Sequence, residues 1–296
     1  MLQSSNTALS PPVASKASGR ERTAAAGLAV GNHAVKLSTG VKDYVIRSQS
    51  LNYHPDLVSG TDNLLLGEVI AHAVETGAVV SLAVSLPTSQ MRPLIEPLKT
   101  SHVVVVNGDR KEILINNISF LPEGLGAATR MRELKMQRST QPVPSFAALD
   151  FGGGNCSVVG LDADGKVAGF CQTTPGVMAL YGSIAAAVAA ESGGIAPTDD
   201  AIRLGVELKT YRIGGYGEKD FKAIYEELLP QWISTRLSEI RAKAGEILNK
   251  SAVKVVCGGG AMLPGLMSHL PNDYAQASEP QKLESQGLLE FARRIE

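Results

Sequence analysis

The run Leu149-Asp150-Phe151-Gly152-Gly153-Gly154-Asn155-Cys156-Ser157 places one carboxylate, Asp150, at the end of an apolar stretch, with three glycines close behind it. A second apolar stretch follows, so the pattern reads as strand, glycine turn, strand. Without side chains, the three glycines let the backbone approach a ligand closely and take conformations closed to other residues. Successive N–H groups in such a turn can hold a phosphate, and the carboxylate can hold a hydrated divalent cation. A phosphate turn between two strands differs from a Walker loop, which opens a helix and ends in Gly-Lys-Ser/Thr. It differs from a dinucleotide fingerprint for the same reason. The same residues also suit an ordinary Gly-rich β-hairpin, and this segment alone does not separate the two readings.

The elements that must position this turn are readable in outline. Residues 27–37 read as a strand with a Gly31-Asn32 turn inside it, and residues 42–47 as its partner. Residues 61–76 carry a helical apolar spacing, 79–86 a strand, and 91–100 a short helix or loop interrupted by Pro93 and Pro97. Two β-rich runs around Asn107-Gly108 form a hairpin; Leu121-Pro122-Glu123-Gly124 ends its second strand, and a helix covers about 125–137. The proline-bearing stretch 139–144 reads as a linker. Beyond it, 145–150, 155–161 and 166–173 form a three-stranded meander, followed by helices over 176–191 and 199–209. A long amphipathic helix spans about 219–248, and Pro230 is expected to kink or divide it. A buried strand at 253–257 leads into Gly258-Gly259-Gly260, then a helix over 262–270 and a terminal helix over 282–294. Each half opens with strands around a glycine turn and continues into helices, which suggests an internal duplication.

The chain has 296 residues with a formal net charge of −1, so no global basic field draws it to nucleic acid or membrane. Its longest apolar runs are far too short to cross a bilayer. Three cysteines in apolar surroundings read as reduced core thiols of a cytoplasmic protein. Five histidines lack metal-ligand spacing. Residues 1–24 are rich in Ser, Ala, Thr and Pro and read as a disordered tail. Two domains follow, over 25–140 and 141–296, with the C-terminal helix packing back on the first.

Four stretches occur in a telling order: residues 27–36, Leu121–Gly124, Asp150–Asn155 and residues 255–261. Together they resemble the actin-like ATPase superfamily, most closely the ParM/StbA-type plasmid-segregation actins. That resemblance covers about Gly27 to the end of the chain. It implies an α/β fold of two duplicated, ribonuclease H-like domains with nucleotide in the cleft between them. On the family's first phosphate hairpin it matches Gly31, Asn32 and Lys36. It matches Glu123 to a carboxylate near the attacking water, and Asp150 with Gly152, Gly153, Gly154 and Asn155 to the second phosphate hairpin. Gly258, Gly259 and Gly260 match a turn at the adenosine, and Glu207 and Lys209 lie in a segment resembling the helix that lines the nucleoside. Glu123 and Asp150 are then the catalytic candidates, with Asp150 holding Mg²⁺ through water. The implied ligands are ATP or GTP with Mg²⁺. The implied partners are further copies of the chain in a head-to-tail filament, and plasmid DNA reached through a centromere-binding adaptor, with no membrane involved.

General chemistry agrees with this assignment. Two glycine hairpins can clamp a polyphosphate from both sides, with Lys36 adding a cation. Mg²⁺ keeps several waters and needs few protein ligands. One departure stands out: Ala29 occupies the position where the first hairpin of the family carries aspartate. Its loss is expected to leave nucleotide binding largely intact and to impair hydrolysis by about 10²–10⁴-fold. Another carboxylate such as Asp43 could replace it if the register is shifted. A small-molecule kinase of the same superfamily and a non-hydrolysing nucleotide-binding regulator are the alternative functions. His33 reads as a phosphate contact or a solvent-facing turn residue, and Trp232 as a subunit anchor or a core residue.

Overall fold

A computed structural model describes residues 22–30, 34–39, 43–47, 70, 74–86, 89–106, 108–138, 142–214 and 219–294. The proposed helix over 61–76 lies almost wholly outside these residues, as do Gly31, Asn32 and His33. The first sheet contains β1 (Arg22–Val30), β2 (Ala34–Ser38), β3 (Asp43–Arg47), β4 (Ala78–Leu86), β5 (Ser101–Val106) and β6 (Asp109–Pro122), in the spatial order β3-β2-β1-β4-β6-β5. The second contains β7 (Phe146–Phe151), β8 (Cys156–Leu161), β9 (Val167–Thr173), β12 (Val253–Cys257) and β13 (Tyr274–Gln276), ordered β13-β12-β7-β8-β9. Two short strands, β10 (Arg212–Ile213) and β11 (Lys219–Asp220), pair separately.

The two sheets repeat one plan. In the first, β1–β3 form an antiparallel meander, while β4 and then β6 add in parallel on the other side of β1. In the second, β7–β9 form the meander and β12 and β13 add in parallel beside β7. The first sheet differs by its extra edge strand β5, the partner of β6 in the Asn-Gly hairpin. The duplication suggested by the glycine turns is therefore a duplication of strand order.

Helices cover the sheets in a crossed arrangement. Helix α1 (Leu125–Arg138) follows the first sheet, yet its Leu125 and Ala128 pack with Phe146, Ala148, Val159 and Val255 of the second. On the second sheet's other face lie α2 (Met178–Ser192), α3 (Asp199–Glu207) and α4 (Lys222–Lys250). The terminal helix α5 (Leu283–Arg294) follows the second sheet, yet Leu288 and Ala292 pack with Ala29 and Ala83 of the first. Small residues make these crossings possible. A methyl group at Gly27 would overlap the backbone of α5 at Ser285 and Leu289, and one at Gly287 would overlap the Gly126 carbonyl on α1. Each half thus sends one helix across to the other, and the two helices meet at Gly126 and Gly287.

Two expectations are corrected. Helix α4 continues through Pro230, and its backbone leaves helical geometry at Ala244 instead. A proline inside a helix costs about 3 kcal/mol. The buried stripe of Leu229, Ile233, Leu237, Ile240 and Leu248 outweighs that cost, because each fully buried side chain contributes about 1.5–3 kcal/mol. Beyond Ala244, Ile247 fills the space left by Gly160 and Gly169 on β8 and β9. The segment proposed as a helix over 262–270 instead forms two 3-10 turns, Gly259–Met262 and Leu266–His269. Pro264 and the left-handed Gly265 (φ 83°) separate them.

Candidate functional site

Two of the carboxylates singled out in the sequence, Glu123 and Asp150, converge where the crossed helices meet the ends of β1 and β7. Asp150 is the penultimate residue of β7 and only 4% exposed, and its Oδ1 atom has no hydrogen-bond partner. Burial pushes its carboxyl above the usual carboxylate range, and the Lys36 ammonium partly opposes that shift. Gly258 sits directly over it at φ +85°, where any side chain would collide with the Asp150 carboxylate. Gly260 packs equally closely on Phe151 and Val177, whereas Gly259 faces open space. The two glycine turns of the second half therefore touch, with Asp150 enclosed between them.

The Gly152–Gly154 turn is braced from one side. The N–H groups of Gly176, Val177 and Met178, at the start of α2, donate to the carbonyls of Gly154, Gly152 and Gly153, each at 2.9 Å. In a planar trans peptide the N–H points opposite to the carbonyl of the same unit. Pinning these three carbonyls toward α2 therefore turns the N–H groups of Gly153, Gly154 and Asn155 the other way. That arrangement is a preformed donor set for an anion.

Glu123 follows β6 and is half-buried. Its Oε2 accepts from Asn155 Nδ2 at 2.7 Å and from Gln172 Nε2 at 3.0 Å. Burial, then the Asp150 and Glu284 carboxylates, raise its pKa to about 8. Asn155, proposed as a ligand residue of the turn, is thus also the group that aims Glu123. Lys36 on β2 pairs in register with Ala29 and projects the first half's positive charge toward Asp150 and Glu284.

Glu284 was not anticipated from the sequence. It reaches from α5 to accept hydrogen bonds from the N–H groups of Gly124 at 3.1 Å and Ala127 at 2.7 Å, and from the Ser85 hydroxyl. It is fully enclosed, and burial and the Asp150 charge raise its pKa to about 7. One signal was available: Glu284 stands three and four residues before Gly287 and Leu288, a charge within the apolar stripe of a helix. Gln172 carried no comparable signal.

Glu207 and Lys209 are not part of this cluster. Glu207 pairs with Arg203 at 3.1 Å on the surface of α3. Lys209 is exposed past the helix end at φ +56°. Trp232 packs against Phe151 with ring centroids 5.8 Å apart, which favours the core reading of that residue. Cys156 and Cys257 are buried thiols whose pKa values burial pushes up.

The residues present suit a hydrated divalent cation. Asp150 offers an unpartnered buried oxygen, the Lys36 ammonium acts on Asp150 and Glu284, and Glu123 adds a third carboxyl beside them. Among the described residues no group of His, Cys, Asp or Glu forms a direct metal cage, so any such ion would keep much of its water. None of the described helices is long and apolar enough to cross a membrane.

No protein family's sequence profile matches the chain, and no curated protein does. Solved structures do match. A 15-stranded ParM filament from Clostridium botulinum superposes with a TM-score of 0.75 at 14% identity, covering 92% of this chain and 99% of that one. An archaeal actin homolog in complex with ADP gives 0.72 at 16% identity, over 92% and 99%. ParM from Bacillus thuringiensis with ATP gives 0.65 at 13% identity, over 93% and 99%. The chain has the actin-like two-domain fold found in ParM structures.

Proposed function

We propose that the chain binds ATP or GTP with Mg²⁺ at the junction of its two halves and assembles head-to-tail into filaments. The observation that carries this reading is the convergence of Lys36, Glu123 and Asp150 on the braced Gly152–Gly154 turn, at the crossing point of a duplicated fold. The N–H groups of Gly153, Gly154 and Asn155 would receive phosphate oxygens, and Lys36 would add a cation from the first half. Gly31 and Asn32 complete that side in the reading made from sequence. Asp150 would hold Mg²⁺ through water, and the ion when bound would neutralise charge on the phosphates. Glu123, aimed by Asn155 and Gln172, is placed to orient the attacking water, and its raised pKa suits a group that takes a proton near neutral pH. Gly258–Gly260 would face the adenosine, and Glu207 at the end of α3 and Lys209 just past it would face the nucleoside.

Head-to-tail contacts are heterologous and generate open helices. The described filament among the structural neighbours supports this mode of assembly. Plasmid DNA bound through a centromere-binding adaptor, in a cytoplasmic setting, is the cargo the resemblance suggests, and the net charge of −1 agrees with indirect DNA contact. Sedimentation and light scattering with ATP, GTP and their non-hydrolysable analogues test the proposal. Nucleotide-dependent pelleting is the expected result; a soluble protein that phosphorylates a metabolite would replace it with the kinase reading. A second reading, nucleotide binding without turnover, is favoured by Ala29, and phosphate release measured beside pelleting separates the two.

A further inference from the structure

The pairing registers set two equivalent rows at the junction. Across the first sheet the row is Lys36–Ala29–Ser85, and across the second it is Ser157–Asp150–Cys257. In each, the central residue lies near the end of the strand that begins the meander. Ala29 is therefore the counterpart of Asp150, and β1 brings no carboxylate to its end of the site. Laterally paired residues point to the same face, so Ser85 shares the face on which Ala29 and Ala83 pack against Leu288 and Ala292 of α5. Glu284 reaches this face from α5 and bonds Ser85, the direct neighbour of Ala29.

We propose that Glu284 replaces, from the C-terminal helix, the carboxylate that β1 lacks, and acts as a positioning residue for the candidate site. It holds Ser85 beside Ala29, fixes the peptide that follows Glu123 through the Gly124 N–H, and gives Lys36 a second anionic neighbour. Capping α1 does not by itself explain an acid brought from a distant helix: a helix N-terminus is commonly capped by a nearby Ser, Thr, Asn or Asp, whereas this cap comes from 157 residues away. An enclosed carboxylate near Asp150 and Glu123 is costly unless positive charge faces it. Lys36 supplies one such charge, and a hydrated divalent ion at Asp150 would supply the other. Position 29 and Glu284 then form an exchanged pair, in which a carboxylate at either place serves and carboxylates at both repel.

The binding part of this inference rests on the proposed Mg²⁺-nucleotide site, while the pairing itself does not. The test uses the full chain and its Ala29→Asp, Ala29→Asn, Glu284→Gln, Ala29→Asp/Glu284→Gln and Ala29→Asn/Glu284→Gln variants. Thermal melting without metal or nucleotide judges the pairing. Ala29→Asp should melt lower than the equally bulky Ala29→Asn, and the difference should vanish in the Glu284→Gln background. Equal melting of the two single variants overturns the pairing, even if Glu284→Gln does not fold. The ratio of nucleotide dissociation constants in EDTA and in Mg²⁺ judges the charge. Glu284→Gln should reduce that ratio about 10–100-fold, the usual effect of losing a group that orients a metal ligand. Ala29→Asp/Glu284→Gln should recover most of it. An unchanged ratio in Glu284→Gln overturns the charge role. If the unaltered chain shows no Mg²⁺-dependent nucleotide affinity, the nucleotide reading fails instead, and the melting comparison still decides the pairing.

Discussion

The two meanders of this molecule share a strand order but not a way of holding charge. The second is self-contained. Asp150 lies on β7, its turn is braced by the first residues of α2, and the Gly258–Gly260 turn closes over it. The first carries Lys36 and Ala29 on the equivalent row, and the carboxylate that reaches this row, Glu284, arrives from a helix that belongs to the other half of the chain. Duplicated frames therefore need not keep duplicated chemistry. Once two helices cross between the halves, a charge can sit on a crossing helix as readily as on the strand it serves. It then ties the site to the crossing itself.

Breaking the crossing should have the largest effect. Gly287→Ala drives a methyl into the Gly126 carbonyl between two backbones that cannot yield. A loss of about 3 kcal/mol or more is expected, since overpacking against rigid neighbours lies at the top of its range. Denaturant unfolding checks it, and a near-neutral result would mean that the helices do not meet as described. Gly176→Ala attacks the self-contained side, because its methyl would meet Asn155 N and the Gly153 carbonyl. It should cost less, about 2 kcal/mol, while removing nucleotide affinity more completely than Gly287→Ala does at equal folded fraction.

Asp150→Asn sharpens the comparison in the opposite direction. It removes a buried charge that has an unpartnered oxygen, so the ligand-free protein should melt a few degrees higher, while the Mg²⁺ dependence of nucleotide binding is lost. A lower melting point would show that Lys36 satisfies Asp150 more fully than its environment indicates.

The smallest effect is on pH dependence. Glu123 binds its proton more tightly folded (about 8) than its ordinary value of 4.5, and Glu284 shares that direction at about 7. Between these values the folded state holds more protons than the unfolded chain, so ligand-free stability falls as pH rises from about 4.5 through about 8. Glu123→Gln should flatten this slope. A slope unchanged by that substitution would assign the titration to Glu284 alone.

Much of the frame could be read from residue order. The period-two runs around Gly108 and Gly152–Gly154, the apolar stripe of α4 and the terminal helix all stand where local patterning put them. So does the order of Lys36, Glu123, Asp150 and Gly258, because turn glycines and alternating runs are local properties. Local rules failed where packing overrode them: Pro230 lies inside an unbroken turn because the stripe around it is buried, and 262–270 is not one helix because Gly265 takes a left-handed conformation after Pro264. Ala29 was visible as a missing carboxylate from the sequence alone. Its replacement was not, since Glu284 reaches the site only after two sheets form and their helices cross. A residue's neighbours across that span are decided by close backbone packing at Gly27, Gly126 and Gly287, and no periodicity in the chain encodes them. The sequence determined which hairpin keeps its own acid, and the tertiary structure decided where the other hairpin's acid comes from.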